Sequence, residues 1–399
     1  MLDLLADPQA SYPIIHLAGT NGKTSTARMI SALVAAHGLK PGLFTSPHLQ
    51  SVEERFAIGL DPMSRVQFAD AVTELAPIVD FYEERSGDGV TYFEITAALA
   101  LSWFASQAVD VGVVETGLGG RLDATNAARS NVAVITSIGI EHVDYLGGTV
   151  EAIAGEKLAI LDEGTALVTG SLPPQVEEMA RVRTRQQEAR LFRVDRDFRV
   201  TGATRAVGGW LIDLEGIHES YPGLHLRLHG RHQIGNFALA VASVEALLGR
   251  SLDPDAVREA AAAVTAPGRM EIVAHDPVVM LDGAHNPHGS AALGAALEEE
   301  FPTTRWRLVL GVMRDKDLAG MLAPLEGRIV GVESVAADID RAAPPEGIAD
   351  VARRSLGVPA RAHPSVEAAL AAARESGDPI LVAGSLYLVG EVRSLLDLT

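Results

Sequence analysis

Residues 16–26 read HLAGTNGKTST, and the folding of this stretch decides how the rest of the chain is organised. Gly22-Lys23-Thr24 is the ending of a phosphate-binding loop, yet Leu17 stands where that loop usually has its first glycine. The run before it, PIIHLAG, has the length and apolar content of a buried strand. After it, Ala27, Ile30, Leu33 and Val34 fall on one helical face with Thr24, and HGLKPG stops the pattern. A strand that turns through glycines into a helix is the setting a phosphate loop requires. The amides of Gly19, Thr20, Asn21, Gly22 and Lys23 and the helix N-terminus would face phosphate oxygens, with Lys23 toward the β/γ-phosphates and the Thr24 hydroxyl on Mg²⁺. The other reading of the same residues is an ordinary glycine-rich turn. Leu17 argues against the common motor and switch NTPases, whose first glycine sits there.

Working outward, strand-length apolar runs alternate with helix-length amphipathic segments, the pattern of a parallel sheet covered by helices. GLFTS, VDVGVVET and NVAVITSIG read as strands; Phe93 to Ser106, TVEAIAGEKLAIL and HQIGNFALAVASVEALLG read as helices. ARLFRVDRDFRVTGATRAVGGWLIDLEG alternates and turns on glycine, so it reads as a small β excursion. The pattern breaks at Pro267-Gly268 and a fresh strand–helix alternation starts with PVVMLDGAHNPHG. The expectation is an α/β protein: a P-loop parallel-sheet central domain over residues 1–266 and a smaller Rossmann-like α/β domain over 267–399, with a hinge near Thr265 to Gly268.

Composition narrows the function classes. The 399 residues are 47% hydrophobic and 21% charged, a balance that suits a soluble globular enzyme. The net charge of −19 is spread along the chain and no Lys/Arg run offers a track for nucleic acid. With no cysteine, thiolate metal sites, disulfides and Cys nucleophiles are excluded, so a metal would bind through oxygen or imidazole and Mg²⁺ is the natural candidate. MLDLLADPQA lacks the build of a signal peptide, and ITAALALSWFASQ is short of a membrane span. A cytoplasmic enzyme without a membrane partner is the default.

Candidate chemistry clusters at strand ends, where ligands bind in parallel sheets. Glu115 follows the buried run VDVGVVE, where a carboxylate can hold Mg²⁺ or merely cap a helix; the glycine- and threonine-rich TGLGGRLDATN after it favours a ligand loop. His142 in GIEHVDYLG and Lys157 in AGEKLAI read, on spacing alone, more readily as a satisfied polar residue and a solvated lysine than as a metal pair. Asp282 and His285 in LDGAHNPHG end a strand and fit either a turn or a functional role.

Taken together, HLAGTNGKTST, FTSPHLQSVEERF, TYFEITAALA, ETGLGGRLDATN, SIGIEHVDYLGGTVEAIAGEK, HGRHQIGN, APGRMEI, LDGAHNPHG, GVMRDKD and AGSLYLVGEVR resemble the Mur-ligase-type ATP-dependent amide ligases over nearly the whole chain. FTSPHL, GGRLDATN and EAIAGEK in this order point to the dihydrofolate synthase/folylpolyglutamate synthase branch. The resemblance implies ATP and two Mg²⁺. One ion would be held by Thr24 or Ser25, Ser46 and Glu115; many members read Gly-Lys-Gly-Ser where this chain has Gly22-Lys23-Thr24-Ser25, so either hydroxyl is a candidate. The other ion would sit at His142 with Lys157, which the family carries as a carbamate. It also implies that Asp123 contacts the pterin beside a wall containing Tyr92 and Phe93. Gln233, Asn236, Arg269 and Asp282 with His285 would hold ATP and orient phosphate from the other domain, His285 helping to position the acyl phosphate. Phe237 stands where the family often has a small residue.

The implied activity is ATP-dependent addition of L-glutamate to dihydropteroate, giving dihydrofolate, and to folates, giving folylpolyglutamates, by a monomeric enzyme through an acyl phosphate. A single-activity folylpolyglutamate synthase, or a ligase of a cell-wall precursor, is the alternative within the class. A nucleotide-binding regulatory protein that has lost catalysis is the rival outside it, and the joint presence of Glu115, His142 and Lys157 argues against that.

Overall fold

PIIHLAG forms β1 (Ile14–Ala18), every residue of which is buried. In the computed structural model, which describes residues 1–398, this strand lies inside an eight-stranded sheet of order β4-β3-β2-β5-β1-β6-β7-β8. The others are β2 (Pro41–Phe44), β3 (Phe56–Ile58), β4 (Asp61–Pro62), β5 (Val111–Glu115), β6 (Val132–Ile135), β7 (Ala166–Thr169) and β8 (Arg190–Arg193). All pairs are parallel except β2–β3 and β3–β4. Because β5 lies between β1 and β2, the chain winds both ways from β1, and a crevice opens at the carboxyl ends of β1, β5 and β6.

The helices of this unit are α1 (Lys23–Ala36), α2 (Arg65–Ser86), α3 (Tyr92–Ser106), α4 (Val143–Leu146), α5 (Val150–Leu158), α6 (Pro174–Gln186), α7 (Arg231–Leu248) and α8 (Pro254–Ala263). Side chains of β1 alternate between the two faces of the sheet, as a strand's period of two requires. Ile15 and Leu17 join Leu33 of α1 and Phe237 and Val241 of α7, while Ile14 packs with Phe104 of α3 and Ala18 with Ile153 of α5. Phe237, wholly buried, helps fill the first core; truncating such a ring to alanine costs about 3–5 kcal/mol.

Two segments depart from the sequence reading. Helix α2 is not foreseen, because only Leu75 of its residues is buried and Pro77 within it is a helix breaker by sequence, so no apolar face repeats strongly enough to be read. The β excursion divides: β8 joins the main sheet as an edge, while β9 (Arg199–Ala206), β10 (Gly209–Glu215) and β11 (Ser220–Leu226) form a separate antiparallel sheet whose Trp210, Ile212 and Leu214 enter the α7 core.

The remaining strands, β12 (Glu271–His275), β13 (Val278–Leu281), β14 (Trp306–Leu310), β15 (Ile329–Ser334), β16 (Ala360–Ala362) and β17 (Ile380–Ala383), make a six-stranded sheet of order β12-β13-β17-β14-β15-β16. Only β12 is antiparallel. Its first helix, α9 (Pro287–Glu300), touches the main unit at both ends: Glu300 accepts from Gly230 N at 2.6 Å and Glu299 pairs with Arg231, while Asn21 Nδ2 lies 2.5 Å from His288 Nδ1. No helix among the described residues is long and apolar enough to cross a membrane.

Candidate active site

Strand β1 ends at Ala18 and α1 begins at Lys23, so Gly19 to Gly22 form the loop between them. Residues just past β6 prop it. Thr20 N donates to Ser137 O at 2.8 Å, Asn21 N donates to Ser137 Oγ at 3.0 Å, and Thr136 Oγ1 donates to Asn21 O at 2.7 Å. This packing explains Gly19: a Cβ there would lie 1.9 Å from Thr136 Oγ1. Gly22, at φ +86°, takes the left-handed conformation that favours glycine, and its Cβ would meet Asn236 Oδ1 at 2.8 Å.

The props correct the expectation that all the loop amides face phosphate. Those of Thr20 and Asn21 hold the loop to Ser137 instead, whereas the amides of Gly22, Lys23 and Thr24 have no protein acceptor among the described residues. These open the first turn of α1, where unsatisfied N–H groups and the helix dipole favour an anion. Lys23 Nζ donates to Gly19 O at 2.9 Å, and Lys157 Nζ reaches the same carbonyl from α5 at 3.0 Å. Two ammonium groups therefore flank the loop.

At the end of β5, Glu115 is 1% exposed. Thr24 Oγ1 donates between its two oxygens at 2.9 and 3.0 Å, and Ser46 N donates to Oε2 at 3.2 Å. Burial raises its pKa to about 7, with the nearby Lys23 charge opposing. The structure thus brings together Thr24, Ser46 and Glu115, and it separates Thr24 from Ser25: Ser25 is buried and accepts a long 3.4 Å bond from Gln233 Nε2. Hard oxygen donors around an under-compensated buried carboxylate fit Mg²⁺, which would supply the positive charge this environment lacks.

Lys157 is 1% exposed and its ammonium pairs with Glu141 Oε1 at 2.8 Å. Burial lowers its pKa and Lys23 adds repulsion. Glu141 was missed in the sequence, although it follows β6 as Glu115 ends β5 and directly precedes His142. His142 takes a left-handed conformation at φ 45° and opens α4 on the exposed side of the same loop.

Asp123 lines a cavity of about 770 Å³ with Tyr82, Val90, Glu94 and Leu122. Its Oδ2 accepts from Leu118 N at 2.8 Å and its Oδ1 from Thr125 N at 3.0 Å. Tyr92 and Phe93 do not line this cavity; Glu94 does. Tyr92 lies under the Arg55 guanidinium, 5.5 Å from ring centre to Cζ, and Phe93 packs on Phe44 with ring centres 6.0 Å apart. A first helical turn spreads neighbouring side chains over different faces, and here Phe93 turns to the core while Tyr92 and Glu94 stay exposed, Glu94 at the edge of the cavity.

Gln233 and Asn236 do not come from the other domain. Helix α7 packs on α1 in the main unit, and Asn236 Nδ2 donates to Gln233 Oε1 at 3.0 Å against the phosphate loop. From the smaller sheet, Asp282 accepts from Met270 N at 2.9 Å and Ala284 N at 2.8 Å, and burial raises its pKa. The Arg269 guanidinium lies where a Cβ on Gly283 would come, 2.4 Å from Nη1. His285 donates from Nδ1 to Gly283 O at 2.8 Å, and burial lowers its pKa, which leaves Nε2 as the free ring atom of a neutral imidazole. His288, unrecognised in the sequence, is the α9 residue that meets Asn21.

The Mur ligase middle domain matches residues 17–244 and the Mur ligase glutamate ligase domain residues 268–386. The dihydrofolate synthase/folylpolyglutamate synthase of Mycobacterium tuberculosis is 45% identical over 343 residues, covering 82% of this chain and 70% of that protein. The solved structure of Mycobacterium tuberculosis folylpolyglutamate synthase complexed with ADP and AMPPCP superposes with a TM-score of 0.95 at 42% identity, covering 99% of this chain and 93% of that one. An FPGS–AMPPCP–folate complex superposes with a TM-score of 0.88 at 32% identity, covering 99% and 93%. With both family domains matched in order and this degree of identity, the chain belongs to the Mur ligase family, in its dihydrofolate synthase/folylpolyglutamate synthase branch.

Proposed function

We propose that this protein is an ATP-dependent amide ligase that joins L-glutamate to the carboxylate of dihydropteroate and, on folates, lengthens the γ-glutamyl tail. The observation that carries the reading is the convergence of Lys23, Thr24, Glu115 and Lys157 at the carboxyl ends of β1, β5 and β6. ATP would lie with its phosphates on the amides of Gly22, Lys23 and Thr24 and on the Lys23 ammonium. Arg269, Asp282 and His285 would approach from the smaller sheet, Asp282 through the lone pairs its two backbone amides leave over.

Bound at Thr24, Ser46 and Glu115, and at His142 with Lys157, two Mg²⁺ would neutralise charge on the transferring phosphoryl group. For the second position Lys157 would be carried as a carbamate, formed when its neutral amine adds to carbon dioxide and loses a proton; its burial supports this, since burial favours the neutral amine. The acid substrate's oxygen attacks the γ-phosphorus, the bond to ADP breaks, and an acyl phosphate results. The glutamate amine then attacks the acyl carbon, gives up a proton, and expels phosphate. Lys23 would hold the moving phosphoryl group, and the Nε2 of His285 would help to position the acyl phosphate. Closure of the two units about a hinge at 265–268, dividing the chain at 266/267, would keep water from the acyl phosphate.

A single-activity folylpolyglutamate synthase is the second reading; Asp123 in the 770 Å³ cavity favours acceptance of dihydropteroate. The enzyme would act as a cytoplasmic monomer on small molecules alone. Phosphate release dependent on ATP and glutamate, measured in parallel with dihydropteroate and tetrahydrofolate, tests this. Release with both supports the bifunctional enzyme, release with tetrahydrofolate alone supports the single activity, and release only with a cell-wall precursor overturns the folate reading.

A further inference from the structure

His16 lies in the middle of β1, fully buried, on the face opposite the phosphate-loop core. Its Nε2 is 2.8 Å from Thr125 Oγ1, and Thr125 Oγ1 in turn donates to Asp123 Oδ1 at 2.5 Å. The other ring nitrogen, Nδ1, is buried without a partner among the described residues. Nothing in the catalytic scheme above uses this ring.

The direction of the protons along this chain is fixed by counting. An ionised carboxylate can only accept, so the single hydroxyl proton of Thr125 goes to Asp123. Thr125 Oγ1 must then accept from His16, which places the ring proton on Nε2 and leaves Nδ1 bare. Burial, which pushes the His16 pKa down to about 3, is consistent with a neutral ring. With the Thr125 and Leu118 amides, Asp123 has three donors that fix both its oxygens, and the far end of this arrangement is anchored in the rigid central strand.

A bare nitrogen in a core disfavours folding, and an apolar residue of similar volume would suit the position better. The arrangement therefore has a use other than stability. We infer that His16 and Thr125 are positioning residues for the acid substrate, a relay that sets the orientation of the Asp123 carboxylate at the cavity where the pterin end of that substrate binds. This rests on the ligase reading and extends it to the central strand.

The test uses the full chain with His16→Leu, His16→Gln, Thr125→Val, Thr125→Ser and the double variant His16→Leu/Thr125→Val. Loss of one oriented hydrogen bond should raise the KM for dihydropteroate about five- to tenfold in His16→Leu and Thr125→Val, while kcat and the KM values for ATP and glutamate stay within about twofold. The melting temperature of His16→Leu should equal or exceed that of the parent protein. His16→Gln and Thr125→Ser, which keep a donor at each step, should restore most of the affinity. The double variant should be no worse than Thr125→Val alone, because both act through one carboxylate.

A long-range ¹H–¹⁵N spectrum should show His16 protonated at Nε2 and bare at Nδ1. A dihydropteroate KM unchanged in both single variants, additive losses in the double variant, or a proton on Nδ1 would overturn the relay. If the parent protein released no phosphate with any pterin or folate, the ligase reading would fall, and this assignment with it; full parental activity with unaltered variants would overturn the relay alone.

Discussion

Each of the two α/β units carries a buried acid at the carboxyl end of a strand, Glu115 as the last residue of β5 in the larger sheet and Asp282 just after β13 in the smaller, yet their surroundings differ in kind. Glu115 is held by a side-chain hydroxyl and one long amide contact, beside Lys23. Asp282 is held by two backbone amides, one on each oxygen. A cation can displace a hydroxyl, which simply rotates to become a ligand itself. It cannot displace a backbone amide without orphaning a buried donor. A buried acid at a strand's carboxyl end is thus free to take a metal in one unit, while in the other it holds a loop and keeps only its remaining lone pairs for a ligand.

The largest expected effect comes from exchanging the free acid for its neutral isostere. Glu115→Gln should lower kcat on the order of 10³-fold by removing the charge that holds Mg²⁺. Its melting temperature should be unchanged or raised, because no buried carboxyl then remains to be desolvated; steady-state phosphate release and calorimetry on one sample decide it. A large drop in stability would place Glu115 in the class of Asp282.

Asp282→Ala should differ by losing stability as well as ATP contacts. Loss of the acceptor for Met270 N and Ala284 N leaves two buried donors, costing about 2–5 kcal/mol of stability in urea unfolding. The smallest effect is a pH slope. Burial raises the folded pKa of Asp282, so its contribution to stability is fully present below the ordinary aspartate value of about 4 and is lost as pH rises through the raised value. The stability of the parent protein relative to Asp282→Asn should therefore decline with rising pH over that window, by at most about 1.4 kcal/mol per unit. A parallel pair of pH profiles would contradict the direction of the shift.

Much of this contrast was legible in the sequence and some was not, for physical reasons. Local pattern carried β1, α1 and the strand-end position of Glu115, because apolar periodicity and glycine placement are properties of adjacent residues. The partners that tell Glu115 from Asp282 are contacts between distant segments, and so are the Thr136 and Ser137 props, Glu141 against Lys157 and His288 against Asn21. Spacing alone left His142 and Lys157 as an ordinary pair of residues; the burial of Lys157 beside the phosphate loop gives it significance. Helix α2 escaped because its stability comes from capping at Ser64 and a sparse apolar face rather than a strong periodic stripe.

The most direct test of the central claim, that this site passes the γ-phosphoryl group of ATP to the substrate carboxylate, follows one oxygen. Dihydropteroate carrying ¹⁸O at both carboxylate positions, turned over with ATP and L-glutamate, should yield inorganic phosphate bearing a single ¹⁸O and an amide that retains the other. Unlabelled phosphate, with the lost oxygen found in water or AMP, would contradict it.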